Sequence, residues 1–267
     1  MPKSNANGVE IHYEVTGEGP PLVLLHAIPY DHTLWLYQAA HFSTWFKVIS
    51  VDLRSWGRSE KVTTPYDFEE MSDDIIGVMD DIGADDAIVM GCSIGSKMAL
   101  LLGGKYPERF QAVIQVGGNS APQDMDRRIK GYGEEDFPPY RHAHLRYGVR
   151  ETFADSPMGT YLVDNFCERH SWHDPKAVVQ VFEALCRGDA RDYLAAYTRP
   201  TLIINGEFDG ARPKGEKTAS LIPGSHHQVL AGCGHACMIE DPAAFDAVVI
   251  EFLKEYSLMP QLPGEGE

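Results

Sequence analysis

At 267 residues, 43% of them apolar, the chain is long enough to bury a large core in one domain, or in one domain carrying an insertion. Its 23 basic residues against 39 acidic ones give a net charge of −16, which repels phosphate backbones and anionic membranes. That sets nucleic-acid and membrane partners aside and leaves a small-molecule substrate as the expected partner. The first residues, "MPKSNANGVE", are polar, no run approaches the length of about eighteen apolar residues that a membrane span needs, and the five cysteines, an odd number, read as free thiols, so a cytoplasmic location is expected.

Taken along the chain, "GVEIHYEVTGEG" (8–19) alternates and ends in glycines, as an antiparallel edge strand would. Nearly continuous apolar runs follow at 21–27, 46–53, 86–92, 110–118 and 200–207. Such runs suit strands buried on both faces of a parallel sheet. Between the second and third, Phe68, Met71, Ile75, Met79 and Ile82 recur at spacings of three and four, one face of a helix, with Asp67 and Glu70 in capping-box spacing ahead of it. Strand and helix alternate, which predicts an α/β fold.

The alternation stops near residue 120. Through Tyr197 the chain is rich in charge and aromatics, and helical patterns replace strand runs. Residues 120–198 therefore read as a helical cap inserted into a core of 1–119 and 199–258. Asp241 and Pro242 open a last helix, whose stripe of Phe245, Val248, Val249, Phe252 and Leu253 suits docking on a sheet. Residues 259–267, "MPQLPGEGE", read as a disordered tail.

Within this pattern, "IVMGCSIGSKMAL" (88–100) carries Gly91-x-Ser93-x-Gly95 where a buried strand hands over to a buried helix. A serine lifted above a sheet edge needs a tight turn, and the residues two before and two after it approach closely enough to require glycine. A serine hydroxyl needs a base, and the base needs an orienting carboxylate. Asp209 follows in "PTLIINGEFDG" and His235 in "HHQVLAGCGHACMIEDP", in the order serine, acid, histidine, each just after a predicted strand. Glu207 is the rival acid, placed at the strand end. His226 and His227 fall at the start of a strand and are expected at the surface. Cys233, His235 and Cys237 fit no common zinc spacing. His142, His144, His170 and His173 are expected on a cap face, where His142 or His144 could touch a substrate. "GEGP" and "GGNSAP" read as turns, not phosphate loops.

These residues together resemble the α/β-hydrolase superfamily, over nearly the whole chain and most loosely over 120–198. "LLHAIPYDHTLW" resembles its oxyanion loop, "VDLRSWGRSE" its D-x-R-G-x-G-x-S segment, "INGEFD" its acid loop and "AGCGHACMIEDPAAF" its histidine loop. The resemblance implies an α/β-hydrolase fold: a mostly parallel sheet, helices on both faces and a helical cap. It makes Ser93 the nucleophile, His235 the general base and acid, and Asp209 the orienting carboxylate. The backbone N–H groups of Ile94 and Ile28 would form the oxyanion hole, with His26 a structural histidine beneath it. Two departures stand out. His26-Ala27 replaces His-Gly, so the oxyanion loop is expected to bend differently, and Ser96 stands where a smaller residue is usual.

The resemblance implies no metal and no cofactor. A serine at the elbow, where related dehalogenases and epoxide hydrolases carry aspartate, points to acyl chemistry on an ester or lactone, as in small esterases and enol-lactonases. A ligand-sensing protein with slow or no turnover, a C–C hydrolase and a perhydrolase remain open alternatives. Trp35 beside Ile28 and Ile94 is expected in the pocket floor, and Tyr132, Phe137, Tyr140, Met158 and Trp172 in its roof, which suggests an apolar or aromatic substrate. Oligomeric state is not legible.

Overall fold

In the computed structural model, which describes residues 2–5, 7–195 and 197–261, the apolar runs become the strands of one mostly parallel sheet. The strands are β1 (Lys3–Ser4), β2 (Ile11–Thr16), β3 (Pro21–Leu25), β4 (Lys47–Val51), β5 (Ala87–Cys92), β6 (Phe110–Val116), β7 (Thr201–Gly206) and β8 (His226–Leu230). Their order is β1-β2-β4-β3-β5-β6-β7-β8. β1 and β2 pair antiparallel, as do β2 and β4; every other neighbouring pair is parallel. β2 is thus antiparallel as expected but not at the edge. Lys3 and Ser4 pair with His12 and Ile11 outside it, and two residues are too few to leave a periodic signal.

Near-continuous hydrophobicity is explained by burial on two sides. Val23 and Leu25 of β3 and Val89 of β5 face one core, while Leu22, Leu24, Ile88, Met90 and Cys92 face the other. Helices cover both faces: α1 (Leu36–Phe42), α2 (Phe68–Asp81) and α3 (Ile94–Lys105) connect β3, β4, β5 and β6 in turn. Phe68, Met71, Ile75, Val78 and Met79 of α2 fill the first core. Asp67 caps that helix: its Oδ1 accepts the Glu70 N–H at 2.8 Å while Glu70 accepts the Asp67 N–H at 2.8 Å.

Between β6 and β7 the described residues form helices and turns and no strand: α4 (Asp126–Glu134), α5 (Phe137–Tyr147), α6 (Glu151–Ala154), α7 (Pro157–Cys167), α8 (Pro175–Arg187) and α9 (Arg191–Leu194). Buried Lys97 of α3 ties both flanks of this segment to the core, donating to the carbonyls of Ala121 at 2.6 Å and Gly188 at 3.0 Å. After β7 come α10 (Arg212–Ala219), α11 (Cys237–Glu240) and α12 (Pro242–Glu255). Phe245, Val249, Phe252 and Leu253 of α12 pack on the second core, and Leu258 and Met259 lie partly buried against it. Of the expected tail, residues 262–267 lie outside the described residues. No described helix is long and apolar enough to cross a membrane.

Candidate active site

From Ala87 to Gly103 every residue is buried except Ser93. Its backbone is left-handed, φ 54° and ψ −110°, a conformation L residues avoid and which marks a strained turn between β5 and α3. The flanking glycines permit the turn. A Cβ on Gly91 would lie 2.0 Å from the Gly95 carbonyl oxygen, and one on Gly95 would lie 2.2 Å from that of Leu25. The second contact presses the start of α3 against the end of β3, where the loop carrying Ile28 begins. Ile94 is the first residue of α3, so its N–H has no partner within the helix. Ala27 and Tyr30 close a turn through a 2.9 Å hydrogen bond, and the Ile28 N–H within it has no partner among the described residues. Ala27 lies outside the positive-φ region, so the loop achieves its bend without the glycine conformation.

Ser96, the second departure, is accommodated by a neighbour. Its hydroxyl donates to the Ser93 carbonyl at 2.7 Å, and it fits because residue 118 is glycine: a Cβ there would lie 1.5 Å from the Ser96 oxygen. Cys92, next to the serine, is fully buried, and burial pushes its thiol well above the usual range, so it holds no thiolate.

Ser93, Asp209 and His235 line one cavity of about 860 Å³, together with Ile28 and Ile94. His235 donates from Nδ1 to Asp209 Oδ1 at 2.9 Å, which leaves Nε2 for a second partner. Asp209 is buried and further accepts from the Ala211 N–H at 2.8 Å and from Asn205 Nδ2 at 2.9 Å. Burial works against its charge, but His235 and these donors hold its carboxyl below the ordinary range. Burial likewise pulls His235 down, and the Asp209 carboxylate more than offsets it, leaving the imidazole above its usual value. Glu207, the rival acid, instead accepts the Gly232 N–H at 2.9 Å on an exposed loop.

Asn205 is the functional neighbour that sequence reasoning passes over. It is buried, and besides donating to Asp209 it accepts His227 Nε2 at Oδ1, 3.0 Å away. His227 is therefore not a bare surface histidine but the outer end of a chain reaching Asp209. The signal was a polar residue inside the apolar run of β7. His226 meets the Tyr256 hydroxyl at 2.9 Å, away from the site.

The loop that carries Ile28 is held from below. His26 is fully buried, meets the Ala27 carbonyl at Nδ1 (3.0 Å) and accepts the Leu53 N–H at Nε2 (3.0 Å), so it is neutral and structural. Asp52 accepts from the His32 backbone at 2.8 Å, from His32 Nδ1 at 2.9 Å and from the Arg58 N–H at 2.8 Å. Although burial opposes its charge, His32 and the Arg58 N–H keep it ionised far below the ordinary range. His12, Glu14 and His32, and also Asp31, His32 and Asp52, bring possible metal-ligand atoms within 4.8 Å of one another. Their charges already have protein partners: Arg58 is 3.4 Å from Glu14 and Arg169 is 3.0 Å from Asp31.

The expected pocket walls need correction. None of Trp35, Tyr132, Phe137, Tyr140, Met158 and Trp172 lines the cavity. Trp35 is fully buried against Phe245 in the second core. Tyr132, Phe137 and Tyr140 pack on one another behind the cap wall. Met158 is exposed beside Tyr37, and Trp172 lies between the guanidinium groups of Arg58 and Arg169. An aromatic that fills a cap core and one that faces a ligand read alike in sequence. The cavity is walled instead by Met125, Arg128, His144, Arg150, Phe182 and Phe208, among others.

Comparison with known proteins bears on the fold and the family. A family model described as alpha/beta hydrolase fold matches residues 20–242. The structure superposes on an enol-lactonase from Burkholderia xenovorans LB400 with a TM-score of 0.88 and 25% identity, covering 95% of this chain and all 100% of that one. A thermophilic esterase from Thermogutta terrifontis gives a TM-score of 0.85 at 25% identity, covering 95% and 98%. A non-heme chloroperoxidase, CPO-A1, from Kitasatospora aureofaciens is 25% identical over 93% of this chain and 98% of its own length.

Proposed function

We propose that this chain, which belongs to the alpha/beta hydrolase fold family, is a serine hydrolase that cleaves a carboxylic ester or lactone of a small molecule through an acyl-enzyme on Ser93. The observation that carries the reading is the 2.9 Å contact between Asp209 and His235 in the cavity that Ser93 also lines. Likeness to an enol-lactonase and an esterase supports it.

In this reading, His235 takes the Ser93 proton at Nε2 as the hydroxyl oxygen attacks the substrate carbonyl. Asp209 holds the ring through Nδ1 and stabilises the imidazolium that forms. The N–H groups of Ile94 and Ile28 receive the negative charge of the tetrahedral intermediate, and as backbone donors they need no rearrangement to do so. His235 returns the proton to the departing alcohol, then activates the water that frees the acid. The aromatic residues expected from sequence do not line the cavity, but Tyr147, Phe182 and Phe208 do, with Ile28, Ile94 and Met125, so apolar or aromatic substrate groups still find a matching wall.

Ser93→Ala is expected to abolish turnover of activated esters and lactones, and labelling by a fluorophosphonate. A variant hydrolysing at the wild-type rate would overturn the reading. Wild-type turnover below about one per minute across the panel would favour ligand sensing, since enzymes commonly reach about 1–10³ s⁻¹. Likeness to a chloroperoxidase makes peracid formation from acetate and hydrogen peroxide the companion assay.

A further inference from the structure

The chain carries a charge of −16, yet its catalytic cavity inverts that balance. Arg128, Arg150 and Lys214 line it, against Asp209 and Glu151, and Asp209 is already matched by His235. The three cations differ in what they already do. Arg150 donates to the Gly232 carbonyl and to Thr152 Oγ1, and lies 5.2 Å from the Phe208 ring centre, so it is a strut between cap and histidine loop. Lys214 is exposed on α10 at the rim. Arg128, half-buried on α4, has no carboxylate partner among the described residues; its guanidinium lies 5.5 Å from the Tyr147 ring centre, and its charge is felt at both His144 and His235. A partly dehydrated guanidinium beside a catalytic histidine, with no carboxylate of its own, opposes the protonation that the histidine must undergo. It is a feature that favours catalysis only if an anion is there to meet it.

His144, on the cap helix α5, supplies a second donor. Its Nδ1 lies 2.8 Å from the hydroxyl of Tyr132, which is fully buried. Burial drives the Tyr132 hydroxyl far above its usual range and His144 well below its own, so the hydroxyl keeps its proton and the imidazole is neutral. The hydroxyl donates to Nδ1, which places the imidazole hydrogen on Nε2. With Nδ1 turned to Tyr132, the Nε2 edge is left for the cavity that His144 lines.

From this arrangement we infer that the substrate carries a carboxylate besides its scissile ester or lactone, and that Arg128, with the Nε2–H of His144, holds it. A guanidinium donates two parallel hydrogen bonds to a carboxylate, which also fixes the orientation of the molecule over Ser93. The inference rests on the serine-hydrolase reading above and deepens it by naming the substrate class.

Two matched pairs test it, the carboxylate lying on the acyl side in one and the alcohol side in the other: monomethyl glutarate against methyl valerate, and 4-acetoxybutyrate against butyl acetate. Wild-type enzyme is expected to favour the anionic member of at least one pair by tenfold or more in kcat/KM. Arg128→Gln is expected to lower that ratio at least tenfold, Arg128→Lys to restore part of it, and His144→Ala to lower it less than Arg128→Gln does. A wild-type preference for the neutral esters in both pairs, or a ratio that Arg128→Gln leaves unchanged, would overturn the inference. Calorimetric binding of glutarate gives a readout that needs no turnover: it should weaken at least tenfold in Arg128→Gln, and equal affinity in both proteins counts against the carboxylate site. Loss of the serine-hydrolase reading is told apart by fluorophosphonate labelling, which would then fail at Ser93 whatever the charge of the ester.

Discussion

Gly117 stands against the ring of His235: a Cβ on it would lie 2.9 Å from both Nδ1 and Cε1, and 3.2 Å from Oδ2 of Asp209. The same residue has φ +59°, the left-handed region that an L side chain enters at a cost of about 1–2 kcal/mol. Gly117→Ala therefore meets two penalties, and the steric one falls on the Asp209–His235 hydrogen bond. We expect kcat to fall more than tenfold and urea unfolding to show a loss of at least about 1–2 kcal/mol, the backbone cost alone. A stability loss with kcat preserved would show that the ring can shift without consequence.

The Asp209–His235 pair fixes the sign of the pH dependence. In the proposed mechanism His235 must be neutral to take the serine proton, and its pKa is raised above 6.5, so kcat/KM should rise with pH along a limb centred above 6.5. Asp209→Asn removes the charge that raises it and leaves the opposing effect of burial. The limb should then move to lower pH while the rate falls by about 10³–10⁴. The same shifts act on folding. His235 contributes stability that is complete below 6.5 and lost as pH rises through its folded value. Asp209 contributes stability that is present above 3.8 and lost as pH falls through its lowered folded value. An Asp209→Asn rate profile with an unmoved limb would separate Asp209 from the titration of His235.

Asn205 gives a test of the support beneath the acid. Asn205→Ala removes the 2.9 Å donor to Asp209 Oδ2 and the acceptor of His227, leaving a buried carboxylate oxygen unmet. The expected loss is about 1–3 kcal/mol in stability. With one carboxylate bond gone, the orientation of Asp209 toward His235 loosens, so kcat should fall more than KM changes. His227→Ala removes only the outer link and is expected to cost less on both counts.

How far the sequence could be read follows from the kind of signal each residue leaves. Strands buried on two faces leave unbroken apolar runs, which is why β3 through β7 are legible and the two residues of β1 are not. Ser93, Asp209 and His235 are legible because chemistry restricts the residue types and the fold restricts their order. Gly91 and Gly95 are legible because the turn needs them. Gly117 reads as an ordinary turn glycine in "VGGNS", since its constraint comes from His235, far away in sequence. Asn205 looks like a stray polar residue at a strand end, and only its partners give it meaning. The cap aromatics mislead because composition does not say which side of a helix faces the cavity. Arg128 and His144 reach it from helices whose placement no local pattern encodes.

Arg141 links the helices between β6 and β7 to the loop that carries Ile28. Its side chain is fully buried, donating from Nη1 to the Phe166 carbonyl at 2.6 Å and from Nη2 to the Pro29 carbonyl at 2.9 Å. Pro29 directly follows Ile28, so a cap residue fixes the position of a proposed oxyanion donor. Arg141→Met keeps much of the apolar stem but leaves two buried carbonyls without donors, each costing about 1–3 kcal/mol. Relief of a buried charge that has no ion-pair partner among the described residues offsets part of this. The net expectation is a loss of about 2–4 kcal/mol in urea unfolding. Because the Ile28 N–H acts most strongly on the charge that develops in the transition state, kcat should fall well beyond any rise in KM. Arg141→Lys keeps the charge but cannot span both carbonyls in a fixed plane, and should fall between the two. If Arg141→Met lost stability while kcat stayed at the wild-type value in the folded fraction, the cap would be holding itself together without setting the oxyanion loop.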